Sequence, residues 1–191
     1  MKEYYDLRAP EYDDWWIAAA RDREGWQDEL DEALARVAAL PEERTLDIAC
    51  GTGFITQHLR GDVVGLDQSA SMLELARSRV PGATFVQGDA LELPFPDGSF
   101  GRVFASYFYC HLVEEERVRF LTEARRVGSE LIVMGSRLNE GEEPERWEQR
   151  PLSDGSRWPV FKRVFDPDAL AAELGGDVVH AGRWFVVVRA T

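Results

Sequence analysis

The spacing of apolar residues changes along the chain and predicts helices and strands in turn. Leu30, Leu34 and Val37 stand at helical spacing and predict a helix over about residues 24–40, with Pro41 as its stop. Short apolar runs then predict five strands, over residues 45–49, 63–66, 84–87, 103–106 and 131–134. The helices expected between them cover residues 54–59, 69–80 and 114–127, the last with Val118, Leu121, Ala124 and Val127 facing inward.

The C-terminal part predicts one more helix and two hairpins. Residues 139–147 are polar, which indicates an exposed loop or short helix, and residues 150–162 predict a small antiparallel pair. Asp166 before Pro167 is typical of a helix start, and Gly175 would end that helix. A final hairpin is expected over residues 178–180 and 184–189. Together the elements predict an α/β fold, a doubly wound and mostly parallel sheet with a C-terminal antiparallel hairpin.

Composition narrows the class of protein. The length of 191 residues predicts one domain, and 45% hydrophobic with 30% charged residues is ordinary for a globular protein. A net charge of −13 argues against a nucleic-acid substrate, since nucleic-acid binding needs cations to neutralise phosphates. We expect no membrane span, no secretory signal and therefore a cytoplasmic protein. Cys50 and Cys110 lack metal-ligand spacing, so we expect reduced, structural thiols and no metal site.

The richest motif runs from Thr45 to Phe54 and reads TLDIACGTGF. It predicts a strand followed by a turn in which Gly51 and Gly53 allow a ligand to approach the backbone closely. The next strand ends on Asp67, at the edge where open α/β sheets bind ligands. A dinucleotide fingerprint would carry a third glycine where this chain has Thr56. Asp47 would repel a pyrophosphate but suits a sulfonium or ammonium, which favours S-adenosylmethionine (SAM) over NAD.

With a third strand ending on Asp89 and a fourth ending on Ser106, the chain resembles the class I SAM-dependent methyltransferases. The group it resembles includes quinone and small-molecule methyltransferases, and the similarity is strongest over residues 40–135. The resemblance implies a Rossmann-like sheet of seven strands. It also implies SAM as the cofactor, with S-adenosylhomocysteine as the product.

Ten residues are expected at the cofactor. Asp67 would accept hydrogen bonds from the ribose hydroxyls, and Asp89 with the Ala90 amide would bind the adenine. Gln68 and Met72 would line the adenine, and the Ser106 carbonyl would face the amino group of the cofactor. Asp47 would face the methionine moiety or organise the turn, which is completed by Ala49, Gly51 and Gly53.

The acceptor side is less defined by the sequence. His111 is a candidate general base, and the alternative is a helix-capping or core histidine. Tyr5, Tyr12 and Trp16 belong to an aromatic N-terminal segment that would form a lid over the site, or else a hydrophobic patch anchoring the following helix. The remaining candidates for an acceptor pocket are Tyr107, Tyr109, Trp147 and Arg150, the last as an anchor for an acidic group.

We therefore expect one domain over residues 1–191, in three parts. Residues 1–40 would form the lid and first helix, residues 41–135 the cofactor-binding core, and residues 136–191 the acceptor-side loop and hairpin. The predicted function is methyl transfer to O, N or C of a small molecule. The alternatives are an inactive SAM-binding sensor or partner subunit and, third, a NAD-type oxidoreductase. The acceptor and the oligomeric state stay open.

Overall fold

A seven-stranded sheet organises the chain, whose computed structural model describes residues 2–191. The spatial order is β3-β2-β1-β4-β5-β9-β8, in which the first five strands are parallel and β9 and β8 run antiparallel. The strands are β1 Thr45–Ile48, β2 Val63–Asp67, β3 Thr84–Gln87, β4 Phe100–Ser106, β5 Gly128–Ser136, β8 Asp177–Ala181 and β9 Phe185–Ala190. This confirms the predicted doubly wound sheet and its C-terminal hairpin.

Within residues 2–191, six α-helices flank the sheet: α1 Lys2–Arg8, α2 Asp14–Asp22, α3 Trp26–Ala38, α4 Ala70–Arg79, α5 Glu114–Val127 and α6 Pro167–Leu174. The predicted caps are present, since Ser69 accepts from the Met72 amide and Asp166 accepts from the Ala169 amide. The N-terminal aromatic segment forms two helices that the sequence analysis had not specified. Met1, the first residue of the predicted lid, lies outside the described residues.

Two helix predictions were wrong in detail. The helix expected over residues 54–59 is only a single 3₁₀ turn, Thr56–His58. On α5, Val118 points outward with 63% of its surface exposed, and Phe120 occupies the core position instead. Ala124 and Val127 are buried as expected and Leu121 packs partly buried against the core, so only the first position of the predicted inward stripe was wrong.

A separate two-stranded sheet packs over the carboxyl-end edge of the main sheet. It consists of β6 Glu145–Pro151 and β7 Arg157–Arg163, so residues 139–147 are not simply a loop or helix. Side chains alternate between faces along β6: Arg146, Glu148 and Arg150 are half-buried, while Trp147 is exposed. On β7, Val160 and Lys162 are buried on the inner face. This hairpin therefore presents charged side chains toward the interior.

The order of strands places a ligand site. The chain reverses its direction of sheet growth between β1 and β4, and open α/β sheets bind ligands at the carboxyl ends of strands at such a switch point. No helix in residues 2–191 is long and apolar enough to cross a bilayer.

Candidate active site

The turn after β1 combines three residues with left-handed backbone. Ala49, Gly51 and Gly53 have φ values of 53°, 54° and 75°. A side chain at Gly51 would meet nothing closer than Tyr12 at 3.8 Å, so Gly51 keeps this wall of a cavity open. A Cβ on Gly53 would lie 3.2 Å from the Ala76 Cα, which shows that Gly53 is needed for packing against α4.

A cavity of about 290 Å³ lies at the carboxyl ends of β1, β2 and β4, and we call it the glycine-turn cavity. Eight of the ten expected cofactor residues line it: Ala49, Gly51, Asp67, Gln68, Met72, Asp89, Ala90 and Ser106. Further lining comes from Tyr5, Tyr12, Leu66, Gly88, Leu91, Tyr107, Phe108, His111, Leu112 and Glu116. Asp47 and Gly53 are not among the lining residues.

Asp67 ends β2 on the wall of this cavity. Its Oδ2 accepts from the Gly51 amide at 2.9 Å, and its Oδ1 accepts from the Ser69 amide at 2.9 Å. Burial raises the pKa of Asp67, and the two amide donors act against that rise. A carboxylate offers about four acceptor positions, so two backbone donors leave room for a ligand.

Asp47 is buried beneath the turn. Its Oδ2 accepts a 2.6 Å hydrogen bond from the Thr56 hydroxyl. Burial raises the pKa of Asp47 to about 7, with the charge of Asp67 as a further contribution in the same direction. Of the two roles expected for Asp47, the contact with Thr56 matches the organisation of the turn.

Asp89 follows β3 and lines the glycine-turn cavity. It is exposed, and its Oδ1 accepts from the Leu91 amide at 2.8 Å, which orders the loop after β3. Ala90 is buried beside it and also lines the cavity. Gln68 is held from the side of β3, where the Gln87 side-chain amide donates to the Gln68 carbonyl at 3.0 Å.

Tyr107 directly follows β4 and has left-handed backbone, with φ of 53°. This conformation is unfavourable for a bulky residue, so the surrounding packing must hold it. The Tyr107 amide donates to the Met134 carbonyl at 2.9 Å, and its ring packs on Trp16 and Phe185 at 5.1 and 6.4 Å between ring centroids. The tyrosine ring is thereby fixed between the glycine-turn cavity and a second, adjoining cavity.

The second cavity, of about 270 Å³, lies between the N-terminal helices and the β6–β7 hairpin, and we call it the hairpin cavity. It shares Tyr5, Tyr12, Tyr107 and His111 with the glycine-turn cavity, and these four residues form what we call the shared wall. Its other lining residues are Arg8, Trp15, Trp16, Glu148, Arg150, Pro151 and Lys162. The two cavities therefore adjoin.

His111 is anchored by the hairpin. Its Nδ1 lies 2.7 Å from the backbone carbonyl of Phe161 on β7. A carbonyl oxygen only accepts, so Nδ1 carries the proton and donates. In the neutral ring Nε2 is then the unprotonated nitrogen.

Several known proteins are similar to this chain in sequence. A family model described as a methyltransferase domain matches residues 46–130. An uncharacterized methyltransferase of Oceanobacillus iheyensis is 26% identical over 153 residues, covering 76% of this chain and 72% of that protein. The demethylmenaquinone methyltransferase of Renibacterium salmoninarum is 39% identical over 103 residues, covering 51% of this chain and 43% of that protein.

The solved structure of DhpI with S-adenosylhomocysteine aligns with a TM-score of 0.72 at 25% identity, over 98% of this chain and 92% of that chain. Residues 46–130 form a methyltransferase domain, and the whole chain has the fold of a solved SAM-dependent methyltransferase. SAM is accordingly its cofactor. The family model and the curated relatives are methyltransferases, which decides against a NAD-type oxidoreductase. The chain spans less than half the length of the demethylmenaquinone methyltransferases that it matches.

Most of the residues predicted for the acceptor side lie together at the two cavities. Tyr5, Tyr12, Tyr107 and His111 form the shared wall, while Trp16 and Arg150 line the hairpin cavity. Two candidates lie elsewhere. The Tyr109 hydroxyl donates to Glu173 at 2.5 Å on the α6 side, and Trp147 stands 65% exposed on the outer face of β6.

Sequence reasoning missed several lining residues of this methyltransferase, above all Arg8, Glu148 and Lys162. The two-residue spacing of Arg146, Glu148 and Arg150 was an available signal for a strand with a charged face. Lys162 interrupts an apolar run, Val160 to Phe165, and this is also visible in the sequence. Neither pattern tells which part of the main sheet the hairpin covers.

The burial of Asp47 predicts how the free energy of unfolding depends on pH. Its pKa is about 7 in the folded chain and near 3.8 when unfolded, so between these values the folded state binds more protons. Stability contributed by the protonated group is present at pH 4 and is lost as the pH rises to about 7. Asp47→Asn keeps an acceptor for Thr56 and removes this loss. Chemical denaturation from pH 4 to 8 should show the wild type losing on the order of 1 kcal/mol per pH unit relative to the variant.

Asp62→Asn serves as the control, because Asp62 has 65% of its side chain exposed and pairs only with Arg44. Its pH dependence should follow that of the wild type. Parallel curves for the wild type and Asp47→Asn would show that Asp47 ionises normally despite its burial.

Proposed function

We propose that the chain transfers the methyl group of SAM to a small molecule, with SAM in the glycine-turn cavity and the acceptor in the hairpin cavity. The observation that carries this proposal is the shared wall. Two adjoining cavities meet at Tyr5, Tyr12, Tyr107 and His111, and one of them ends on Asp67 beside the glycine turn. Bringing donor and acceptor together in line supplies much of the acceleration in such a reaction.

The lining of the glycine-turn cavity fits SAM. Asp67 would accept from the ribose hydroxyls with the positions that Gly51 and Ser69 leave free. Asp89 and the Ala90 amide would bind the adenine, with Gln68 and Met72 beside it and the Ser106 carbonyl toward the amino group. Ala49 and Gly51 would provide the open backbone next to the cofactor. Asp47 and Gly53 would act through the turn, by hydrogen bonding Thr56 and by packing on α4.

When bound, SAM supplies a methyl group that its sulfonium already activates. The chain then has to position the acceptor, exclude water and, where the acceptor carries a proton, remove it. We assign the last task to Nε2 of His111, which is free of the contact that holds Nδ1. The aromatic side chains of the shared wall, with Trp16, would cover the junction as the lid expected from the sequence.

A small acceptor fits the cavities and the charge of the chain. Both cavities are close to 300 Å³, near the lower end of the range for small-molecule sites. The chain carries 35 acidic against 22 basic residues, which opposes binding along a phosphate backbone. We also place the protein in the cytoplasm, supported by its unpaired buried thiols Cys50 and Cys110.

The decisive experiment incubates the protein with SAM labelled in the methyl group and a mixed metabolite extract. We expect a labelled small-molecule product that requires the protein. Binding of SAM with no product across several extracts would instead favour the alternative of an inactive sensor or partner subunit.

Asp67→Ala should weaken the binding of S-adenosylhomocysteine at least tenfold, because charge-assisted hydrogen bonds to the ribose are lost. Calorimetry measures the affinity, and thermal unfolding shows whether the variant is folded. Asp62→Ala is the matched control, since it also removes one carboxylate but from an exposed site. Unchanged affinity in a folded Asp67→Ala protein would refute the ribose role.

His111→Asn separates catalysis from structure. The asparagine amide can replace the Nδ1 donor toward Phe161 but offers no base at the Nε2 position. With the acceptor found in the extract, we expect a folded protein with unchanged S-adenosylhomocysteine affinity and a turnover lowered about 100-fold or more. A turnover close to that of the wild type would make His111 a purely structural residue.

A further inference from the structure

We propose that the acceptor carries an anionic group, a carboxylate or phosphoryl-type oxyanion, which Lys162 and Arg150 bind on the inner face of the β6–β7 hairpin. The inference deepens the proposed function and rests on it, because it concerns the acceptor cavity. It starts from a buried cation that has no carboxylate partner.

Lys162 is only 8% exposed and lines the hairpin cavity. Its Nζ lies 3.4 Å from the Ser136 hydroxyl and 3.6 Å from the Cys110 sulfur. Among residues 2–191, no carboxylate lies within 4.0 Å of this ammonium. An ammonium has three donors, so these two contacts leave one. Burying an ammonium without a carboxylate at ion-pair distance is costly, and a ligand anion in the cavity would offset part of that cost.

The only carboxylate lining the hairpin cavity, within the described part of the chain, is already engaged. Glu148 pairs with Arg146 through Oε1 at 2.8 Å and with Arg150 through Oε2 at 3.2 Å. Arg8 and Arg150 add two more cations to the lining. Three cationic side chains thus face one shared carboxylate, in a chain whose net charge is −13. The local excess of positive charge runs against the composition of the protein.

The arrangement also orients the acceptor. Lys162 and Arg150 stand on the two strands of the hairpin, while Tyr107 and His111 belong to the shared wall toward the glycine-turn cavity. The Lys162 Nζ lies 5.3 Å from the centroid of the Tyr107 ring. An acceptor held by its anionic end at the hairpin would direct its other end toward His111 and the methyl donor. The compact ammonium of Lys162 suits an oxyanion, and Arg150 adds a second positive charge beside it while its Nε and Nη2 bind Glu148.

The Cys110 thiol competes with a bound anion for Lys162, and the test therefore includes a Cys110 variant. Burial alone would raise the pKa of Cys110, but the neighbouring His111 ring and the charge of Lys162 lower it to about 6. A thiolate there would share the ammonium with the ligand. Cys110→Ser keeps a polar group of similar size that stays neutral, so this variant should bind the anion at least as well as the wild type.

The test uses the full chain saturated with S-adenosylhomocysteine and titrated separately with inorganic phosphate and with acetate, followed by NMR chemical shifts. We expect saturable binding of at least one of the two anions, with shifts around the hairpin cavity. Whichever anion binds more tightly identifies the phosphoryl or the carboxylate source. Lys162→Met, which matches the lysine in length without its charge, should weaken this binding at least tenfold and leave S-adenosylhomocysteine affinity unchanged.

Arg157→Met is the matched control, since Arg157 is an exposed cation at the start of β7 and lies outside the cavity. An equal loss in Arg157→Met would reveal non-specific charge attraction and overturn the proposal, as would unchanged binding in Lys162→Met or no saturable binding in the wild type. Arg150→Met provides the second variant and should also weaken anion binding. Failure to bind S-adenosylhomocysteine would refute the proposed function itself, whereas a neutral methylated product would refute only this inference.

Discussion

The carboxylate of Asp67 holds the turn after β1 and the start of α4 in one arrangement. Its two oxygens accept from the amides of Gly51 and Ser69, which belong to the segments that follow β1 and β2. Ser69 in turn caps α4 and donates its hydroxyl to Asp6 of α1 at 2.5 Å. The glycine turn, the second strand and the N-terminal aromatic segment are therefore joined through the carboxyl group of Asp67 and its partner Ser69.

The N-terminal segment is tied down a second time at the glycine turn. The Thr52 hydroxyl donates to Asp13 at 2.7 Å, and Arg79 of α4 pairs with the same carboxylate. These contacts keep Tyr5 and Tyr12 against the cavities, where burial raises the pKa of Tyr12 to about 12. Both phenols thus stay neutral near neutral pH and contribute an uncharged cover to a site surrounded by ionised groups.

The two sides of the site have opposite charge. The glycine-turn cavity is lined by Asp67, Asp89 and Glu116, whereas the hairpin cavity carries Arg8, Arg150 and Lys162. Aromatic rings and His111 lie between them, so a positively charged donor and a negatively charged acceptor would each meet complementary charge. The left-handed backbone of Ala49 and Tyr107 turns the chain at this boundary, where the neighbouring strands β1 and β4 end. Complementary charge of this kind contributes more to orientation and specificity than to raw affinity.

The sequence by itself determined the sheet and most of the residues that gather at the glycine-turn cavity. Strand periodicity, the glycine turn and acids at strand ends are local signals, and parallel strands bring their carboxyl ends together wherever the chain forms an open α/β sheet. Eight expected cofactor residues consequently line one cavity. The burial of Asp47 could not be predicted from its position in a strand, because this burial depends on Thr56 folding over the carboxyl group.

Only the tertiary structure decided the hairpin cavity, which we propose as the acceptor site. Lys162, Arg150 and Arg8 come from three segments whose separation in sequence exceeds 140 residues at its widest, and no periodicity relates them. Their meeting depends on how the hairpin packs across the edge of the main sheet and on where α1 is anchored. The positions of Tyr109 and Trp147 were likewise not predictable from the sequence. The direction in which a side chain points from a short turn or an edge strand depends on its neighbours in space.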